Sequence, residues 1–153
     1  MGAERHIDLI VQDLRDLGEE LTRTLEKNIE KATGLLAKTV ERNISLTCHS
    51  LAKLREMGHP YAVRDPHNPH NPPYLVHKQE GNLIASLYSE SVETTGIVGV
   101  DEGSAPYARF IITGTSKMIP RDFLGGSLFE KRDQIYEVLK KNLRQCIIAK
   151  RIT

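Results

Sequence analysis

The chain has 153 residues, 39% of them hydrophobic and 27% charged, which suits one domain with a buried core and an ordinary globular balance. A formal net charge of +1 excludes a strong uniform attraction to nucleic acid or to an anionic membrane. With no Trp and only 5% aromatic residues, the core has to be built mostly from Leu, Ile, Val and Ala.

No apolar run approaches the length of a membrane span. The opening MGAERHIDLIVQDL alternates charged and apolar residues and lacks the unbroken apolar core of a signal peptide. Gly2 is not followed by the Ser or Thr that favours myristoylation. Cys48 and Cys146 lie far apart with no CxxC partner, and read as two buried thiols in a reducing compartment. The expectation is a protein kept in the cytoplasm, or in a particle assembled there. One domain is expected, in three parts: a helical part over 1–57, a Pro-rich loop over 58–73, and a sheet with a C-terminal helix over 74–153.

From about Arg5 to Leu54 the apolar pattern is helical. Ile7, Ile10, Leu14, Leu17 and Leu21 recur at steps of three and four, one stripe on a helix. The stripe continues through Leu25, Ile29, Ala32, Leu36, Val40 and Ile44 with a drift toward four-residue steps, which argues against a long uniform coiled coil. Gly18 and Gly34 are the weak points, each costing about 1 kcal/mol against Ala. A helix of about fifty residues would be about 75 Å long. It therefore either breaks near Gly34 or packs in part on neighbouring subunits. The charged residues of its other face are a solvated surface.

Gly58 is expected to end the helix. The stretch GHPYAVRDPHNPHNPP over 58–73 blocks both helix and central strand, because each Pro removes a donor and pushes its predecessor toward extended backbone. A loop of that length is usually functional, and His59, Tyr61, Arg64 and His67 are candidate interface residues on it. His67 and His70, with Pro69 between them, have a spacing that invites a metal reading. No Cys lies nearby and Asp65 is the only close acid, so the converging ligands zinc requires are missing, and no metal or cofactor is expected.

Beyond the loop, Tyr74-Leu75-Val76 reads as a short extended run. Over 83–88 a short helix capped by Asn82 competes with a strand, with nothing in the pattern to separate them. Ile97, Val98 and Val100, bounded by Gly96 and the Asp101-Glu102-Gly103 turn, read as a strand of a small antiparallel sheet. Gly96, Gly99 and Gly103 do not have the spacing of a phosphate-binding loop, and no Lys-Ser or Lys-Thr follows them.

The most informative stretch is PYARFIITGTSKMIPRDFL, residues 106–124. An apolar segment from Tyr107 to Ile112 stops at Thr113-Gly114-Thr115. Pro120-Arg121-Asp122 then launches an amphipathic helix, expected from about Pro120 to Ala149, whose apolar face is Leu124, Leu128, Ile135, Leu139, Leu143 and Ile147. Gly114 supplies backbone freedom for the turn, and Pro120 suits a first helical position. The segment reads as a joint that turns a sheet-side segment into the C-terminal helix. Lys131, Lys140 and Arg144 are candidate interface residues on that helix, whose basic excess is explained in part by its dipole. Without stacking aromatics or a recognition motif it offers DNA only nonspecific phosphate contact.

Tyr107-Ala108 and the residues after it, Gly114-Thr115-Ser116-Lys117-Met118, Pro120 and Phe123-Leu124 resemble the tail-completion proteins of long-tailed phages, the head–tail joining or minor tail Z-like neck family. Ile112 stands where that family often carries Glu, and Pro120 lies one residue further from Phe123 than in many members. The resemblance covers 81 to about 145, and 1–57 only in general character. It implies an α+β fold, with long N-terminal and C-terminal helices packed on a small, mostly antiparallel sheet. It also implies a structural ring subunit on the sixfold tail axis that meets other neck and tail proteins, in the virion and, during assembly, in the host cytoplasm. The family motif residues Tyr107, Ala108, Gly114, Thr115, Pro120 and Phe123 are then fold residues.

No catalytic constellation is present: no Gly-X-Ser-X-Gly elbow, no marked nucleophilic Cys, and in Glu90 and Glu93 only acids flanking a strand. An enzyme is not expected. The alternative to the phage reading is a non-viral helical module whose N-terminal helix pairs with a partner protein.

Overall fold

A computed structural model describes residues 2–45, 51–56, 75–76, 78, 80–116, 118 and 120–150. The fold is α+β, with a long N-terminal helix, a helical C-terminal part and a two-stranded antiparallel sheet. The elements are α1 (Gly2–Asn43), α2 (Leu51–Glu56), α3 (Asn82–Ala85), β1 (Leu87–Val92), β2 (Thr95–Val100), α4 (Ala108–Thr113), α5 (Phe123–Lys140) and α6 (Leu143–Lys150). The expected Pro/His-rich loop and the end of the first helix at Gly58 lie outside the described residues, as does Cys48.

α1 is unbroken through Gly34, where open space surrounds the missing side chain. A helix flanked by strong formers absorbs the ~1 kcal/mol that a glycine costs, so the expected break there does not occur. The helix changes character along its length. Its C-terminal half buries Asn28, Ile29, Ala32, Thr33, Thr39, Val40, Asn43 and Ile44, while every residue from Ile7 to Asp16 is exposed. The break comes after Asn43, not at a glycine.

One core cluster joins Val40 of α1 and Ile44 just beyond its end to Val76, Leu83, Ala105, Ala108, Ile111 and Phe123. It is aliphatic apart from one Phe, as the composition requires. Val76 is tied to α1 through its backbone N–H, which donates to the Asn43 carbonyl at 2.9 Å.

The stretch 82–92 is helix and strand in succession: one turn of α3, then β1. Asn82 is the first helical residue and not the cap, because Gly81 takes that position with φ 90°, a left-handed geometry that a glycine accepts without strain. β1 pairs with β2 from Leu87 opposite Val100 to Val92 opposite Thr95. The hairpin lies on α1, and a Cβ at Gly96 would stand 2.0 Å from the Thr33 hydroxyl oxygen. The absent side chain there allows close approach of strand to helix.

Two expectations are corrected in the second half, and one segment gains a form that its sequence left open. The apolar, sheet-side run Tyr107–Ile112 is largely helical, as Ala108–Thr113. A short apolar run does not reveal its period, and here Ala108 and Ile111, three apart, turn inward while Arg109 and Phe110 stay exposed. Pro120 is not the first helical residue, because α5 begins at Phe123 with Asp122 as its cap, the carboxylate accepting from the Gly125 N–H at 2.8 Å. The C-terminal helix is not continuous to Ala149. Lys141 is extended and Asn142 takes φ 64°, the left-handed residue that often ends a helix.

Candidate interaction surface

The resemblance residues come together as one joint between α4 and α5. Ala108 (2% exposed) and Phe123 (0%) belong to the same core cluster. Gly114 ends α4 with φ 73°, and a Cβ there would meet the Pro120 nitrogen at 2.7 Å and the Met118 carbonyl oxygen at 2.8 Å. The chain doubles back on itself at this point: the Thr115 N–H donates to the Met118 carbonyl at 2.9 Å, and the Met118 N–H returns a bond to Thr115 at 3.3 Å. The Arg121 N–H then donates to the Ile111 carbonyl at 2.7 Å, closing the loop onto α4. Tyr107 is partly exposed, and burial with the nearby Glu80 charge raises its hydroxyl above the usual tyrosine range. Pro120 is exposed.

The cationic candidates do not form one free patch. Lys131 is half-buried with its ammonium 3.7 Å from Glu130. The Lys140 ammonium lies 2.6 Å from Glu137, which raises its pKa, and Arg144 is exposed on α6. His59, Tyr61, Arg64, His67 and His70 lie outside the described residues. Among the described residues no three His, Cys, Asp or Glu side chains group as a metal site, and no helix is long and apolar enough to cross a membrane.

A polar seam locks α1 to α5 that the sequence pattern does not announce. The buried Asn43 amide donates to the Ser127 hydroxyl at 2.9 Å and to Glu130 at 3.2 Å. Arg42 donates to the Asn43 side-chain oxygen at 2.9 Å and pairs with Glu130 at 2.5 Å. About four turns earlier on α1, the buried Asn28 amide donates to the carbonyls of Leu139 (3.0 Å) and Lys141 (2.8 Å). It thereby satisfies acceptors that the end of α5 would otherwise leave open. Arg121 is also fully buried, at 1% exposure, and the polarity of its segment gave no sign of that. Cys146 is a buried free thiol 3.6 Å from the Thr24 hydroxyl, as expected for a structural cysteine.

Two shallow hollows flank these contacts. One, about 280 Å³, lies between α1 and the hairpin beside Lys38, Glu41, Ile84 and Tyr88. The other, about 390 Å³, lies at the α5–α6 break beside Lys27, Asn28, Lys31 and Gln145.

The outer surface is more distinctive. On α1, Ile7, Ile10 and Leu14 are 60%, 49% and 63% exposed along one stripe. On α5, Phe129 and Tyr136 are 74% and 63% exposed, with the Arg132 guanidinium 5.8 Å from the Phe129 ring and the Lys140 ammonium 4.8 Å from the Tyr136 ring. Large apolar side chains in contiguous exposed rows mark interaction sites. Comparison with family models, curated proteins and solved structures finds no match to this chain.

Proposed function

We propose that this chain is a structural virion protein of a tailed phage: a tail-completion, or head-to-tail joining, ring subunit of the neck at the head-proximal end of the tail. The observation that supports the reading is the joint over residues 107–123. The residues that carry the resemblance are not scattered; they form one turn in which Gly114 has a backbone few other residues adopt and Ala108 and Phe123 share a core. The exposed apolar rows on α1 and α5 suit a subunit that works by contact with copies of itself and with other neck and tail proteins. Its action is then binding: a repeated head-to-tail interface closes a ring of about six copies, with no chemistry and no cofactor required. Contact with the genome, if the basic residues of α5 and α6 line its path, is by phosphate charge alone.

The test is to mix the purified chain with tail tubes that lack their head-proximal cap, then sediment the tubes and image them. Bound protein at one end only, as a ring, is the expected result. Failure to co-sediment at any concentration overturns the reading. The exposed Ile7–Leu14 stripe equally favours a non-viral helical interaction module, which predicts no affinity for tubes and capture of a cellular helical partner instead.

A further inference from the structure

We propose that the outer edge of β1, with the hollow between it and α1, receives an extended peptide segment of another protein, which joins the hairpin as a third strand. The inference goes beyond the neck reading and does not rest on it.

The register of the hairpin fixes which backbone groups are open. The Asp101 N–H donates to the Ser86 carbonyl at 2.8 Å, so residues 86 and 101 face each other as a hydrogen-bonded pair just beyond the ladder. Such pairs alternate along antiparallel strands. With Leu87 opposite Val100, the next ones are Tyr88 with Gly99, Glu90 with Ile97 and Val92 with Thr95. The N–H and carbonyl groups of Leu87, Ser89 and Ser91 therefore point away from β2, and they make no hydrogen bond among the described residues. β1 is exposed from Tyr88 to Val92, whereas Val98 and Val100 of β2 are half-buried and Gly99 is buried. The accessible edge is that of β1.

Its chemistry selects a strand as the occupant. Donors and acceptors that recur at every second residue, about 7 Å apart, are matched by another extended backbone and not by a helix. Proteins guard an unused edge with lysine, proline or a bulge. β1 reads Leu-Tyr-Ser-Glu-Ser-Val and pairs with β2 residue for residue, so it has none of these guards.

The hollow of about 280 Å³ gives the added strand a place for a side chain. It is lined by Ile84, Leu87 and Val98, with Ala37, Lys38 and Glu41 of α1 on its other side. Gly96 approaches Thr33 of α1, so by alternation Val98, Ser89 and Leu87 face α1 as well, and every second side chain of a third strand would do the same. Lys38 and Glu41 bring one charge of each sign and make no ion pair among the described residues, which favours neither an acidic nor a basic ligand. The fitting occupant alternates apolar and polar residues and sets an aliphatic side chain in the hollow, with main-chain bonds for affinity and the hollow for specificity. A second copy fits less well. Antiparallel pairing of β1 with itself about Ser89 would set that copy's Ser89 and Ser91 opposite Ser89 and Leu87, and two serine side chains leave the hollow unfilled.

The experiment sorts yeast-displayed random peptides of about twelve residues, long enough to span β1, for binding to the labelled full-length chain. The expected sequences alternate apolar and polar residues. The best of them, as a synthetic peptide at saturation, should slow amide exchange at Leu87, Ser89 and Ser91 at least ~10-fold. N-methylation of the peptide at the alternate residues that bond β1 should weaken binding at least ~10-fold, and methylation at the residues between them should change it little. Ser89→Pro removes an outward N–H that the ladder with β2 does not use, so the hairpin persists, and binding should fall at least ~10-fold. Ser89→Ala keeps that N–H and should bind as wild type does. Circular dichroism verifies that each variant folds, and the methylation series needs no variant of the protein. No enriched sequence, exchange protection away from β1, equal loss from both methylation phases, or full binding by Ser89→Pro would each overturn the proposal. So would self-association in sedimentation that Ser89→Pro abolishes, since it hands the edge to a second copy.

Discussion

Two glycines in this chain are predicted to respond to the same substitution with opposite signs. Gly34 sits in mid-helix with open space where a Cβ would stand, so Gly34→Ala should stabilise by about 1 kcal/mol through helix propensity alone. Gly114 has φ 73° and would drive a Cβ to 2.7 Å from the Pro120 nitrogen. Gly114→Ala should cost about 1–3 kcal/mol from backbone strain and the clash with a backbone that cannot step aside. Urea unfolding midpoints of the two variants check the pair, and a Gly114→Ala protein as stable as wild type would remove the joint from any special role. Asp101 offers a second test at this scale. Its carboxylate accepts from the Ser104 hydroxyl and from the Gly103 and Ser104 N–H groups at 3.1 Å, and these bonds, the Ser104 hydroxyl first, hold its pKa below the ordinary aspartate value. A depressed carboxylate supports the fold above its unfolded pKa of about 3.9 and loses that support as pH falls through the lower folded value. The Gly103 and Ser104 amide resonances should accordingly titrate with a midpoint below about 3.9, and Asp101→Asn should abolish that titration.

At the scale of elements, what was legible depended on whether a residue's role is local. The α1 stripe and the Asp101 turn follow from periodicity and side-chain chemistry within a few residues, and both were readable. The 97–100 strand was readable too, since its β-branched residues sit between turn signals. Tyr107–Ile112 was not, because a short apolar run carries no period and its helical form follows from Ala108 and Ile111 meeting a core assembled by α1 and α5. The α5–α6 break has a weak signal in Asn142, a residue that tolerates left-handed backbone. Its cause is distant: the Asn28 amide, more than a hundred residues earlier, accepts the role of ending α5 by donating to Leu139 and Lys141. Asn28→Ala should cost about 1–3 kcal/mol by leaving two part-buried carbonyls without their donor. Amide exchange should locate the loss at residues 139–146, next to the change in space and far from it in sequence. Uniformly faster exchange along α1 instead would mean that Asn28 matters to its own helix and not to the end of α5. Asn43 and Ser127 teach the same lesson, since a polar residue in a helix reads as surface until the facing helix supplies its partner.

For the whole molecule, α1 divides into a half that holds the fold and a half whose side chains are exposed among the described residues from Ile7 to Asp16. From Asn28 onward its buried residues meet the core, α5 and the hairpin, and removing them would expose apolar surface worth about 25 cal/mol per Å². From Ile7 to Asp16 the described helix buries no side chain, so the stability of the folded body should depend on it little. A chain lacking residues 2–14 is predicted to unfold within about 3 °C of the full-length protein, a shift of under about 1 kcal/mol for a domain of this size. Its helical circular dichroism should fall only by the share of the residues removed. A large loss of melting temperature would place residues 2–14 within the folding unit.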